Sequence, residues 1–450
     1  MRRLNEFPYK HVLVLGLAKS GTKAAEVLLN SNIDVRINDK NAKDTDENVV
    51  SLRKKGAEVI VGSHPETVLD GIDLIVKNPG IPYEHRLVEL ALERGIPVIT
   101  EVELAYQLAK ENPLIGITGS NGKTTTTMLV YEMLKHSGKP VKLAGNIGIA
   151  ATEVAEQLES GERLLLELSS FQLLGTENFR PKIACILNLH EAHLDYHGTI
   201  EAYEAAKAKI FINQTEDDYF VYNADDERLE KWLALVRAKL VPFSATKVLP
   251  FGAWTNGEAL FFKGEKIIEL DDVLLVGEHN VENMLAAIAI AKLSGATNEG
   301  IKHTLRTFSG VKHRLQFVAD INGRLFYNDS KATNTLATKK ALSSFDTPTI
   351  LLAGGLDRGE DLTTLIPYMK NVKACIFFGE TKEKFQRVAE MAGIDDIHLV
   401  QDVVDAVKLA YELSAEGDTI LLSPACASWD QYKTFEERGD MFIQTVHTLT

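Results

Sequence analysis

The chain has 450 residues, 45% hydrophobic and 25% charged, with 49 Lys and Arg against 63 Asp and Glu for a net charge of −14. That balance excludes a disordered chain, a collagen-like repeat and a disulfide mini-scaffold, and predicts two or three globular domains. An acidic surface argues against non-specific binding to nucleic acid or an anionic membrane, while leaving room for a local phosphate pocket.

The first residues read as a strand over 11–15, a Gly-rich turn from Gly16 to Gly21, a helix over 22–30, and a strand over 35–38 ending at Asp39. A strand over 73–77 runs into Asn78-Pro79-Gly80-Ile81-Pro82, a loop that breaks any regular element. A helix is predicted over 101–111, then a strand over 114–118, a loop through Gly119 to Thr124, and a helix to about residue 136. Apolar runs at 141–144, 164–168 and 184–187 read as buried strands, and 259–270 as a hairpin about Gly264. An Ala-rich helix is expected over 281–293, and a hairpin over 317–327 turning at Asn322-Gly323. Buried strands over 349–353 and 420–423 follow. Strands alternating with helices predict an α/β fold with a parallel, doubly wound sheet. The alternation restarts near residues 104 and 309, which divides the chain into 1–104, 105–309 and 310–450.

The strongest chemical signal is Thr118-Gly119-Ser120-Asn121-Gly122-Lys123-Thr124-Thr125 between a strand and a helix. Glycines let backbone N–H groups turn toward phosphate, the helix N-terminus adds positive charge, Lys123 reaches the β/γ-phosphates and the Thr124 hydroxyl suits Mg²⁺. The spacing departs from GxxxxGK[ST], whose first glycine would fall at Ile117. Gly16 to Gly21 is GxxxxG rather than GxGxxG, so it reads equally as a nucleotide turn or a structural one, with Asp39 a candidate for a ribose hydroxyl. Glu167 inside an apolar run calls for a metal, an activating role or a buried ion pair. Residues 188–197 hold three histidines and two carboxylates at the carboxyl end of a strand. Lys331, within Asn328-Asp329-Ser330-Lys331-Ala332-Thr333-Asn334, suits an anion or Mg-nucleotide, and Arg314 could clamp phosphates. Three separated cysteines, Cys185, Cys375 and Cys426, point to a reducing compartment. No apolar run reaches the roughly 18 residues of a membrane helix, and the N-terminus lacks a signal peptide's apolar core. A cytoplasmic enzyme with no membrane or nucleic-acid partner is expected.

Together these stretches, with Ala144-Gly145-Asn146-Ile147-Gly148, Glu278–Asn283 and His313-Arg314, resemble the Mur ligases, ATP-dependent amide-forming enzymes of peptidoglycan precursor synthesis. The block 421–439 is similar to that of the branch that adds D-glutamate to UDP-N-acetylmuramoyl-L-alanine. The resemblance implies a Rossmann-like first domain for the UDP substrate, a central P-loop ATPase-like domain and a Rossmann-like third domain. It implies ATP contacts at Gly119, Asn121, Gly122, Lys123, Thr124, Thr125, Asn283, Arg314 and Asp329. Substrate contacts fall at Ser20, Asp39, Lys40, Asn78, Gly80 and Asn146, and D-glutamate contacts at Lys331, Thr333, Arg358, Ser428 and Phe435. Two Mg²⁺ ions are implied, on Thr124 and Glu167 and on His193 and a carbamylated Lys207; Lys123, Glu167, His193 and Lys207 form the catalytic set, and the expected state is a monomer. Ala192 before the metal histidine and Trp429 in the C-terminal block depart from the family pattern. Another amino-acid ligase of the family and a P-loop switch are the competing readings.

Overall fold

Val12 to Leu15 are wholly buried, so the strand β1 (His11–Leu15) needs cover on both faces, the usual setting of a parallel sheet. The computed structural model describes residues 2–275 and 277–449. In it β1 is the middle of a five-stranded sheet with β2 (Asp34–Asp39), β3 (Glu58–Val61), β4 (Leu74–Lys77) and β5 (Val98–Ile99). The order is β3-β2-β1-β4-β5 and every pair is parallel. The first helix starts at Lys19, three residues before the predicted one. Gly21 lies in its first turn, where a Cβ would stand 1.9 Å from the Gly16 carbonyl oxygen. That close approach accounts for the glycine spacing.

The second sheet contains β6 (Leu114–Thr118), β7 (Val141–Gly145), β8 (Arg163–Glu167), β9 (Ile183–Ile186), β10 (Tyr219–Asn223), β11 (Lys239–Ser244), β12 (Ala253–Thr255), β13 (Ala259–Phe262) and β14 (Glu265–Glu269). Its order is β14-β13-β12-β11-β10-β9-β6-β8-β7, parallel except for β12-β13-β14 at one edge. β6, which feeds the Gly119–Gly122 loop, is therefore flanked by β8 and β9, whose ends carry Glu167 and Asn188. The expected Ala-rich helix spans Glu278–Leu293.

The helix Glu101–Ala109 joins the first two sheets. Val102, Leu104, Ala105 and Leu108 belong to one apolar cluster with Val12 and Val14 of the first sheet and Leu164 and Leu166 of the second. Residue 104 thus lies inside a helix whose apolar face is shared. The Glu101 carboxylate accepts the Thr152 N–H at 2.5 Å and its hydroxyl at 2.8 Å, and Glu103 accepts the N–H groups of Glu177 and Asn178. The chain divides into two compact units, one comprising these two sheets through Asp271 with Val281–Thr304, the other Asp272–Asn280 with residues 305 onward.

The second unit holds β15 (Gln316–Ile321), β16 (Arg324–Asn328), β17 (Thr349–Gly354), β18 (Val372–Phe378), β19 (Ile397–Leu399) and β20 (Thr419–Leu422) in the order β15-β16-β20-β17-β18-β19. The β15-β16 hairpin is antiparallel and turns at Asn322-Gly323; the remaining pairs are parallel. Leu351, Ala353, Cys375 and Phe377 feed one core and Ile350, Leu352, Ala374 and Ile376 the other, the period of two that a doubly covered sheet requires.

Candidate active site

β6 ends at Thr118, and the loop that follows is held on two sides before the helix Lys123–His136 begins. Asn188, just past β9, accepts the Asn121 N–H on its side-chain oxygen at 2.8 Å and the Ser120 N–H on its carbonyl at 3.0 Å. The Ser120 hydroxyl donates to the His190 carbonyl and meets the Tyr203 hydroxyl, each at 2.9 Å. Gly122 has φ +80°, and a Cβ there would lie 2.1 Å from the Asn283 side-chain oxygen. Only glycine lets Asn283 approach so closely, which brings these two expected nucleotide residues together. The Lys123 ammonium donates back to the Gly119 and Ser120 carbonyls at 2.7 and 3.0 Å. The first turn of this helix leaves backbone N–H groups without intrahelical partners, a setting suited to anions.

Glu167 ends β8 at 2% exposure. Its Oε1 accepts Asn146 Nδ2 at 3.0 Å, while Oε2 is buried with no hydrogen-bond partner. Asn146 also donates its N–H to the Glu167 carbonyl at 2.8 Å, so the expected substrate residue and the expected metal residue form one bracket. Lys207 is 1% exposed and donates to Thr118 Oγ1 at 3.2 Å and to the Gly119 carbonyl at 2.9 Å. Burial and the charge of Lys123 push its pKa well below the lysine range. His193 adopts the left-handed conformation, φ 56°, with its ring edge-on to Phe171 at 5.0 Å. Among the described residues no group of three or more His, Cys, Asp or Glu is placed to hold a metal. The expected ligand sets differ in kind, since each includes a Thr or a Lys.

In the first sheet, Asp39 is already engaged: its carboxylate accepts N–H bonds from Leu17, Asn41 and Ala42 at 2.7–3.0 Å. Burial raises its pKa, but those three donors outweigh it and leave the group below the usual range. Asn78 donates to the Ser20 hydroxyl at 3.3 Å and accepts the Gly80 N–H at 3.1 Å. Ser20, Asn78 and Gly80 therefore form one corner beside Asp39, and Lys40 is exposed next to it.

In the second unit, Asp329 is 6% exposed and accepts the Ser423 hydroxyl at 2.9 Å and the Leu315 N–H at 3.1 Å. Burial lifts its carboxyl to about 7 against those donors and the charge of Arg314. Lys331 lies 5.5 Å over the Phe435 ring. Thr333 and Arg358 line one small pocket with Thr381, Lys384 and Cys426. The Arg358 guanidinium stands 4.7 Å over the ring of Trp429, and the adjacent Ser428 hydroxyl is buried without a hydrogen-bond partner. A backbone bridge between Leu356 and Ala427 holds these two loops together. Asn283 belongs to the first unit, and Arg314 and Asp329 to the second.

Residues 10–100, 117–291 and 313–426 match, in turn, the MurD-like N-terminal domain, the Mur ligase middle domain and the Mur ligase glutamate ligase domain. The chain is 59% identical over 449 residues to UDP-N-acetylmuramoylalanine--D-glutamate ligase of Oceanobacillus iheyensis, with both chains covered in full. The chain belongs to the Mur ligase family. The corresponding protein of Geobacillus kaustophilus is 56% identical over 451 residues, again over both whole chains. Among solved structures, MurF of Acinetobacter baumannii aligns with this Mur ligase at TM-score 0.61 and 16% identity, covering 98% of this chain and 95% of that one. UDP-N-acetylmuramate-alanine ligase MurC of Thermotoga maritima aligns at 0.58 and 20%, covering 98% and 100%. At such identity these two likenesses establish the fold alone.

Sequence reasoning passed over several residues that hold the candidate site's segments in place. Asn188 and Tyr203 brace the phosphate loop, and only the crowding of polar residues after β9 hinted at the first. Arg438, wholly buried, donates to Ser330 Oγ and to the carbonyls of Ser330, Gly354 and Cys426 at 2.9–3.2 Å. It lay inside the 421–439 block, where burial could not be read. Lys77 ends an apolar strand as Glu167 does, and the same cost argument would have marked it.

Proposed function

We propose that this Mur ligase uses ATP to join D-glutamate to UDP-N-acetylmuramoyl-L-alanine, releasing ADP and phosphate. This is a step of peptidoglycan precursor synthesis, on which cell shape and division depend. The observation that carries the reading is identity of 59% and 56% along the whole chain to ligases named for that reaction. The chemistry is amide formation from a carboxylate, a poor electrophile. Attack of that carboxylate on the γ-phosphorus of ATP gives an acyl phosphate and ADP. The amine of D-glutamate then adds to the acyl carbon, and the tetrahedral intermediate expels phosphate.

The arrangement supports a role for each residue. Residues Gly119, Gly122, Thr124 and Thr125 present backbone N–H groups to the ATP phosphates, Asn121 contributes its side chain because its own N–H is held by Asn188, and Lys123 swings from its own loop carbonyls to their charge. Asn283 meets the nucleotide beside Gly122, and Arg314 and Asp329 are the nucleotide residues assigned to the second unit. Ser20, Asp39, Lys40, Asn78 and Gly80 take the uridine diphosphate end, with Asn146 nearer the acyl end. Lys331, Thr333, Arg358, Ser428 and Phe435 take D-glutamate; the unpartnered Ser428 hydroxyl and the Arg358 guanidinium suit its carboxylates.

The donor chemistry fits Mg²⁺ at Glu167, whose buried Oε2 has no hydrogen-bond partner, with the Thr124 hydroxyl completing an oxygen set. His193 and a carbamylated Lys207 would hold a second ion; burial favours the neutral amine that CO₂ needs. Bound there, the ions neutralise the crowded phosphate and carboxylate charges. The working division remains residues 1–104 for the UDP substrate, 105–309 for ATP and 310–450 for the amino acid. The enzyme acts as a monomer in the cytoplasm, where its nucleotide substrates are made.

The test is phosphate release from Mg-ATP and UDP-N-acetylmuramoyl-L-alanine across a panel of amino acids. Release only with D-glutamate, and a product of the amide's mass, is expected. Release with a different amino acid replaces the acceptor and keeps the ligase. Release indifferent to both substrates overturns ligation in favour of a nucleotide switch.

A further inference from the structure

Lys77, the last residue of β4, is 1% exposed, and its polar partners are neutral. Its ammonium donates to the Ile81 carbonyl at 2.9 Å and the Tyr196 hydroxyl at 3.2 Å, and lies 4.6 Å over the ring of Tyr83. Burial pulls its pKa to about 8, with Glu84 acting weakly the other way. An ammonium buried among neutral groups is costly, and an apolar side chain would fill the same space more cheaply.

The position of these groups gives the lysine a task. The Tyr196 hydroxyl stands 3.2 Å from the Pro79 carbonyl and 3.0 Å from that of Ile81. It has one proton, so it donates to one of them and accepts from Lys77. The Tyr196 ring meets Phe171 edge to face at 4.6 Å, and Phe171 meets His193 at 5.0 Å. Phe171 is itself fixed by a capping box between Ser169 and Gln172 at the start of the helix that follows β8 and Glu167. One path of contacts thus runs from the Asn78–Pro82 loop through Lys77 and Tyr196 to the segments bearing His193 and Glu167.

We propose that Lys77 and Tyr196 form a clamp that sets the register between the Asn78–Pro82 loop and the His193 segment, making Lys77 a positioning residue for ligation. The clamp rests on the reading that first-sheet loops hold the uridine diphosphate group. A substrate anchored at that end must deliver its carboxylate to a reacting centre on the second sheet. An error of about 1 Å at such a centre costs on the order of 100-fold in rate.

The experiment is steady-state kinetics of Lys77→Met, Lys77→Arg, Tyr196→Phe and the Lys77→Met/Tyr196→Phe double variant. Lys77→Met should lower kcat roughly ten-fold or more and raise KM for UDP-N-acetylmuramoyl-L-alanine, with KM for D-glutamate held within about two-fold. Tyr196→Phe should act in the same direction, the double variant should be no worse than Lys77→Met, and Lys77→Arg should recover part of the loss. Multiplying losses in the double variant, or a change confined to melting temperature, overturns the clamp. Where Lys77→Met fails to fold, Tyr196→Phe decides, since it removes one oxygen; wild-type kinetics in it overturn the proposal. Titration of Lys40→Ala with uridine diphosphate separates the two readings. Wild-type affinity there overturns the first-sheet assignment, whereas weakened binding alongside unaltered Lys77→Met kinetics overturns the clamp alone.

Discussion

Two buried carboxylates show how differently the same group behaves here. Glu167 keeps one oxygen on Asn146 and leaves the other unpartnered. Glu167→Gln retains the shape and the Asn146 contact but loses the charge. It should cut kcat by roughly 100-fold or more while melting within a few degrees of wild type, checked by phosphate release and calorimetry on the same sample. Asp329 holds its proton up to about 7 because it is buried. An unfolded aspartate titrates at about 3.9, so between these values the unfolded chain gives up a proton that the folded chain keeps. The second unit should therefore lose stability as pH rises through that window, with the full contribution present below it. Asp329→Asn should flatten the dependence of its urea midpoint on pH, and an unchanged slope would refute this.

Short connections between strand ends and helices make the site, and they are where the sequence was both most and least informative. The loop Gly119–Gly122 was legible as a strand-to-helix turn because its glycines, lysine and threonine sit between a strand and a helix. Its supports were not, because Asn188 and Tyr203 are ordinary polar residues until the β6-β9 pairing sets the first, and the packing of the helix Ile200–Ala208 the second, beside Ser120. Gly122→Ala would drive a methyl into the Asn283 side chain and force φ +80° on an alanine. The expected outcome is a rise of roughly ten-fold or more in KM for ATP, with a stability loss of about 1–3 kcal/mol. Arg438→Met would leave the carbonyls of Ser330, Gly354 and Cys426 without their donor; a loss of about 3 kcal/mol or more is expected, read from urea unfolding. The hairpin at Asn322-Gly323 was readable for the opposite reason: two residues suffice to specify it.

At the scale of the molecule, alternating strands and helices gave three sheets, but the number of cooperative bodies followed from packing that no local pattern records. One apolar cluster runs through the first two sheets by way of the helix Glu101–Ala109, while the third sheet has cores of its own. Unfolding should thus show two transitions. The first two sheets should melt together, and Arg438→Met should move only the other transition; a single transition for all probes, shifted as a whole, would contradict this.

The shared helix also bears on how such a chain can be inherited. Val102, Leu104 and Leu108 belong to the apolar cluster that the two sheets share, and Glu101 and Glu103 tie the helix to backbone N–H groups around residues 152 and 177. A crossover near residue 104 between two divergent genes would splice half of this helix from each parent and mismatch every one of those contacts. The unit that can be exchanged intact is the first two sheets together with the chain through Thr304, because a junction at Val281 would itself cut the helix Glu278–Leu293. Recombination should spare that block and tolerate junctions beyond it, so diversification of the first sheet is expected to proceed by substitution rather than by swapping.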